Sequence, residues 1–240
     1  DFFADANVRN AFVNAFEYEN FLEEAFQGTA MQPNGPIPYG MFGYTPEDVV
    51  PNQTYDPQAA ADFLDQTEYG TEGFEIVLYY NAGNSERELG CEMLAKNLED
   101  LSDEGYIEGE IEVDIVTLDW PSYLDALYEG ALPIFFLGWA PDYADPDDYV
   151  NPFLHSHGAF PYFLSLHNET LDEMIEEAAK QLDEDKRAAM YANITWACYN
   201  NSYYIWNSQA ENFHVERAWV DGYYFNPMYS GQYYYELSKG

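Results

Sequence analysis

Between residues 8 and 26, apolar side chains recur at 8, 12, 16, 22 and 26 with small alanines between them, a spacing that fits the period of a helix and not of a strand. A buried helix is predicted there. From 28 to 57 the pattern dissolves: Pro33, Pro36, Pro38, Pro46, Pro51 and Pro57 stand among Gly35, Gly40 and Gly43, a density that forbids regular structure and predicts a long connector. Asp56-Pro57 opens a short helix, Asp56 as N-cap and Pro57 in the first helical position, that ends before Gly70. Residues 74–80 form a compact apolar run, and 111–118 set Ile111, Val113 and Ile115 against acidic neighbours; both read as strands, the second half-exposed. Between them 85–101 reads as a helix capped by Ser85, with Glu88 three residues on. A short helix at 120–128 and a buried strand at 132–139 follow. Strand, helix, strand, helix, strand implies right-handed crossovers and an α/β lobe. After Trp139 come an acidic loop, helices at 168–182 and 184–199, a buried strand at 203–208 and an irregular, tyrosine-rich end.

Composition agrees with a packed core, since 47% of the 240 residues are apolar and 18% aromatic. Charge narrows the function more sharply. Eight Lys plus Arg against 44 Asp plus Glu leave a net charge of −36, which repels nucleic-acid phosphates and anionic lipid and excludes a nucleic-acid role. Such an excess suits a high-salt setting, where screening acts over roughly 3 Å at 1 M. No run approaches the roughly 18 apolar residues of a membrane span, and the start Asp1-Phe2-Phe3-Ala4-Asp5 lacks the pattern of a signal peptide. The chain reads as soluble, any export signal having been removed. Sequons at Asn52, Asn168, Asn193 and Asn200 permit N-glycosylation; with the acidic composition they point to an extracellular, archaeal-type glycoprotein. Cys91 and Cys198 are far apart in sequence on predicted helices, which leaves a disulfide and two buried thiols both open.

Catalytic and metal chemistry find no pattern to rest on. Asp142, Asp145, Asp147 and Asp148 cluster, but a calcium loop starting at Asp145 needs Gly at 150 and Glu at 156, where Val150 and Ser156 stand. His155, His157 and His167 are too sparse for zinc, and no GxSxG, P-loop, GxGxxG or HExxH motif occurs. No enzyme activity, metal or cofactor is expected.

Four stretches resemble the family 5 extracellular solute-binding proteins, the peptide- and nickel-type receptors of ABC importers. They are Val8-Arg9-Asn10-Ala11 with the later Gly35 to Pro38 step, Tyr55-Asp56-Pro57 with Ala59 and Ala60, Asp119-Trp120-Pro121-Ser122-Tyr123, and Gly138-Trp139-Ala140-Pro141-Asp142-Tyr143-Ala144-Asp145-Pro146. The last is the most specific. The resemblance implies an α/β fold of the large two-lobed, type II periplasmic-binding-protein class, of which this chain is mostly the C-terminal lobe. It divides the chain into 1–57, a helix and connector from the first lobe; 58–200, the second lobe; and 201–240, a return strand and tyrosine-rich end.

Full members of that family are longer, and their N-terminal half builds most of the first lobe. The resemblance also implies a peptide or small-molecule ligand, an ABC permease as partner, and a missing N-terminal half or identical subunits to complete the cleft. It places ligand contacts on Asp142, facing an α-ammonium, with Trp139 and Tyr143 beside it. Phe136 and Leu137 stand where peptide-binding members carry an arginine before the Gly-Trp pair, so that contact to a ligand carboxylate is absent. An alternative is a shortened, self-assembling surface or filament protein on the same scaffold, joined through its exposed tyrosine- and phenylalanine-rich faces.

Overall fold

The computed structural model describes residues 2–226 and 231–240. The chain runs α1 (Ala6–Asn14), α2 (Tyr18–Phe26), β1 (Ala30–Met31), α3 (Pro57–Leu64), α4 (Tyr69–Glu72), β2 (Phe74–Asn81), α5 (Ser85–Asp103), β3 (Ile111–Leu118), α6 (Trp120–Tyr128) and β4 (Ile134–Phe135). It continues through α7 (Asp147–Leu154), α8 (Ala159–Leu164), α9 (Glu169–Lys180), α10 (Glu184–Asn201), β5 (Gln209–Ala210), β6 (Val220–Asp221) and β7 (Ser238–Lys239). No helix among the described residues is long and apolar enough to cross a membrane.

A parallel sheet of order β3-β2-β4 organises the first half. Because successive strand side chains face opposite ways, β2 serves two cores. Ile76, Leu78 and Tyr80 are buried against α5, in a cluster that also takes in α1, α2 and α3; Tyr79 faces a smaller cluster of Tyr123, Leu127, Leu132 and Phe163. A third cluster gathers α7 to α10 around Phe153, Leu154, Tyr191 and Ile194.

Several elements differ from the pattern-based expectation, each for a local reason. The helix expected over 8–26 is two helices. Its break is held open by side chains: Asn97 Nδ2 donates to the Ala15 carbonyl at 3.0 Å and the Tyr18 hydroxyl to the Val13 carbonyl at 2.8 Å. The cap of α5 is Asn84 and not Ser85, since Asn84 Oδ1 accepts the Arg87 N–H at 2.9 Å, while Glu88 accepts the Tyr80 hydroxyl. The buried strand expected over 132–139 shrinks to half-buried β4, which pairs only with Leu78 and Tyr79. The helix after Asp56 ends at Leu64, before Gly70 as expected; the unexpected element is the separate turn α4, which contains Gly70. The acidic loop after Trp139 contains two helices, α7 and α8, masked in sequence by Pro152 and Pro161.

No strand forms over 203–208. There the buried Gln53 takes the place of a strand partner: its Nε2 donates to the Tyr204 carbonyl at 2.7 Å and its Oε1 accepts the Trp206 N–H at 2.8 Å and the Tyr18 hydroxyl at 3.1 Å. One amide thereby joins α2, the connector and the return segment. The connector itself is ordered from within by Asn34, whose Nδ2 donates to the carbonyls of Thr45 and Val50, each at 2.7 Å. A buried polar group left unpaired is costly, so these bonds fix the path of a segment with no regular structure. Arg9 adds a further tie, donating from α1 to the carbonyl of Asn201 at the negative end of α10.

Candidate functional site: the loop from Gly138 to Asp148

The loop leaves the carboxyl end of β4 and enters α7, and one residue, Asp148, sets its shape. Pro152 stands inside α7 and has no N–H to give to the carbonyl four residues back, which is that of Asp148. That carbonyl accepts instead from the Trp139 indole at 2.7 Å. The indole is therefore held at its edge, and its ring packs edge-on against Phe153 and Phe160. Trp139 is half-buried, part of the wall of the third cluster.

The Asp148 side chain, 5% exposed, turns back to accept the backbone N–H groups of Asp142 and of Tyr143, the latter at 3.2 Å. Two neighbouring acids are also committed. Asp145 receives both Arg187 amino groups, at 2.7 and 2.8 Å; burial works to raise its pKa, but these hydrogen bonds prevail and hold it below the ordinary carboxylate range. Arg187 itself lies over the rings of Tyr191 and Phe42. Asp147 accepts the Tyr143 hydroxyl at 3.0 Å, and burial together with that bond pushes the phenol up to about 12.

Asp142 differs from all of these. It is exposed, and among the described residues its carboxylate has no hydrogen-bond or ion-pair partner. The structure thus brings Trp139, Asp142 and Tyr143 onto one braced loop, with a free carboxylate at its tip. Asp148, missed as an organiser in the sequence, left one faint signal: an aspartate four residues before a helical proline.

The remaining candidate groups do not gather into a site. Cys91 and Cys198 are buried free thiols in different clusters, and burial pushes each up to about 12, far from a reactive thiolate. Among the sequons, Asn193 and Asn200 are exposed on α10, whereas Asn52 and Asn168 are half-buried with their amides donating to Glu47 and to Tyr203.

The sequence profile of the bacterial extracellular solute-binding proteins, family 5 middle region, matches residues 1–161. The chain belongs to this family. Among curated relatives, heme-binding protein A of Haemophilus influenzae is 24% identical over 94% of this chain and 40% of its own length. The dipeptide-binding protein of Escherichia coli is 25% identical over 97% and 42%. This family member spans about two fifths of the length of the curated relatives it matches. Solved structures share its fold. A dipeptide-binding protein from Pseudoalteromonas sp. SM9913 in complex with Met-Leu aligns with a TM-score of 0.81 at 20% identity, covering 99% of this chain and 46% of that one. The oligopeptide-binding protein AppA of Bacillus subtilis, in complex with a nonapeptide, gives 0.79 at 18% identity, covering 100% and 48%. The fold class is that of the two-lobed, type II periplasmic binding proteins.

Proposed function

We propose that this chain is the second-lobe portion of an extracellular solute-binding protein that captures a peptide-type ligand and delivers it to an ABC importer. Family membership and the peptide-binding names among its relatives support the reading. The observation that carries it is Asp142: an exposed, unpartnered carboxylate whose backbone N–H is held by the buried carboxylate of Asp148. A carboxylate so presented would meet a ligand ammonium in a charge-assisted hydrogen bond worth about 1.5–3 kcal/mol. Trp139 and Tyr143 flank it, the indole as a rigid wall. Residues 201–240 are read as a return segment towards the first lobe, whose remainder supplies the opposite wall of the cleft, whereas α1 and α2, expected with the first lobe, share the core of β2 and α5. The self-assembling alternative gains no support from relatives named as binding proteins.

Calorimetry of the intact protein with short peptides tests the reading. Asp142→Asn should lower affinity at least about tenfold and leave the melting temperature unchanged. Unchanged affinity removes Asp142 from the site.

A further inference from the structure

Helices α9 and α10 pack together, yet their outer faces differ in kind. Along α9 the exposed positions include Glu169, Glu173, Glu176 and Glu177, as expected of a chain with 44 acids. From residue 186 to 210 the sequence holds no Asp or Glu, the longest such stretch it contains. Beyond Lys186, the outward stripe of α10 runs in steps of three and four residues through Ala189, Asn193, Trp196, Ala197 and Asn200. Charge holds the rest of this surface in water. Here neutral groups stand alone.

Two members of the stripe head sequons, Asn193-Ile194-Thr195 and Asn200-Asn201-Ser202, about two turns apart on one face. The task of the amide separates them from the other two sequons. Asn52 gives its amide to Glu47, with its side-chain oxygen buried, and Asn168 gives its amide to Tyr203 while its oxygen caps α9. Asn193 and Asn200 are exposed and their amides donate to no group among the described residues, whereas the amide of Asn201 turns back to the Ala197 carbonyl. Trp196 lies about one turn from each of them, its ring edge-on to Tyr199, and offers an apolar surface on which a sugar ring packs.

The hydroxyls of these two sequons bear on when a sugar is attached. A transferase reads the Ser or Thr that ends the sequon, and here both are buried. Thr195 Oγ1 donates to the Tyr191 carbonyl at 2.9 Å, and its methyl fills the space over Gly35 of the connector, where a Cβ would lie 2.6 Å away. Ser202 Oγ donates to Asn10 Oδ1 of α1 at 2.6 Å. Once α10 has docked on α1 and the connector, both asparagines are accessible and neither hydroxyl is.

We propose that Asn193 and Asn200 carry N-linked glycans, attached before α10 docks, which cover its neutral face. The donor is a lipid-phosphate-linked oligosaccharide supplied by the exporting cell. Asn Nδ2 bonds to the anomeric carbon of the sugar; the bond from that carbon to the phosphate oxygen breaks, the phosphate leaves with the electron pair, and the amide proton passes to a base of the transferase. This modification is independent of the ligand-binding reading and needs only export past such an enzyme.

The test is peptide mapping of the protein purified from the cells that make it. Trypsin cutting after Arg187 and Arg217 releases 188–217, which holds both sites, and electron-transfer fragmentation assigns each sugar to its asparagine. Asn193 and Asn200 should carry glycan mass with Asn52 and Asn168 unmodified, and joining Asn193→Gln to Asn200→Gln should remove all of it. A 188–217 peptide found only at its unmodified mass overturns the proposal, whether the face is then bare or covered by another protein chain. Glycan on Asn52 or Asn168 in equal measure overturns selection by the free amides.

Timing is read with unglycosylated protein, made in a host without a transferase and offered to membranes of the native cells, either folded or freshly diluted from urea. The chain from urea should accept at least about tenfold more sugar, because a folded domain exposes its buried groups only rarely. Equal acceptance overturns attachment before folding.

Discussion

Helix α5 is anchored by Leu94, Leu98 and Leu101, all buried in the cluster that includes β2, whereas the loop from Gly138 to Asp148 has its shape set by hydrogen bonds to one buried carboxylate and one carbonyl. Apolar burial is non-directional and scales with area, so the first region tolerates small shifts while keeping its stability. Hydrogen bonds require distance and angle, so the second region has a defined geometry at modest net energy. The two regions therefore divide the work of the lobe. The sheet half holds the scaffold and the strand ends, and the polar loop presents chemical groups at fixed positions.

The comparison breaks most visibly if a core truncation reaches the loop. Leu98→Ala should lower the unfolding free energy by about 2–5 kcal/mol in urea titration, while hydrogen exchange at the Asp142 and Tyr143 amides in the folded protein stays as in wild type. Faster exchange at those amides would mean that the loop borrows its order from the sheet core. The reverse test removes the loop's acceptor. Asp148→Ala leaves two amides without their partner and should cost about 1–3 kcal/mol, with exchange at Asp142 and Tyr143 accelerated and the α5 amides unaffected.

The smallest effect concerns pH. Burial works to raise the pKa of Asp145, but the Arg187 bonds hold it below its ordinary value, so its contribution is complete above the unfolded pKa of about 3.9 and is lost as pH falls through the folded one. Arg187→Met should be less stable than wild type by about 1–2 kcal/mol at neutral pH, and this gap should narrow below about pH 4. A gap that stays constant in acid would show that Asp145 is not the group sensing Arg187.

The two regions were also unequally legible in the sequence. Periodicity revealed β2, β3, α6 and the bodies of α5, α9 and α10, because half-burial imprints a regular alternation. The Gly138–Pro146 motif pointed to the family, in agreement with the profile match over residues 1–161. The spacing of apolar residues could not reveal who accepts which hydrogen bond. Ser85 with Glu88 matched the pattern of a capping box, yet Asn84 makes the cap; residues 203–208 looked like a strand, yet Gln53, about 150 positions earlier, satisfies that backbone. Asp148 was visible only as one of four clustered acids, since its role depends on Pro152 and on chain reversal.

Pro152 acts on the loop through what it lacks. An imino acid cannot donate, and in a helix that deficit is usually counted as damage. In α7 it works as an address: one carbonyl is left vacant, and the indole of Trp139 is the donor that docks there. Any other residue at 152 would bring an N–H to compete for the same lone pairs, so the orientation of the tryptophan in this loop is encoded by an atom that a different residue, thirteen positions away, does not possess.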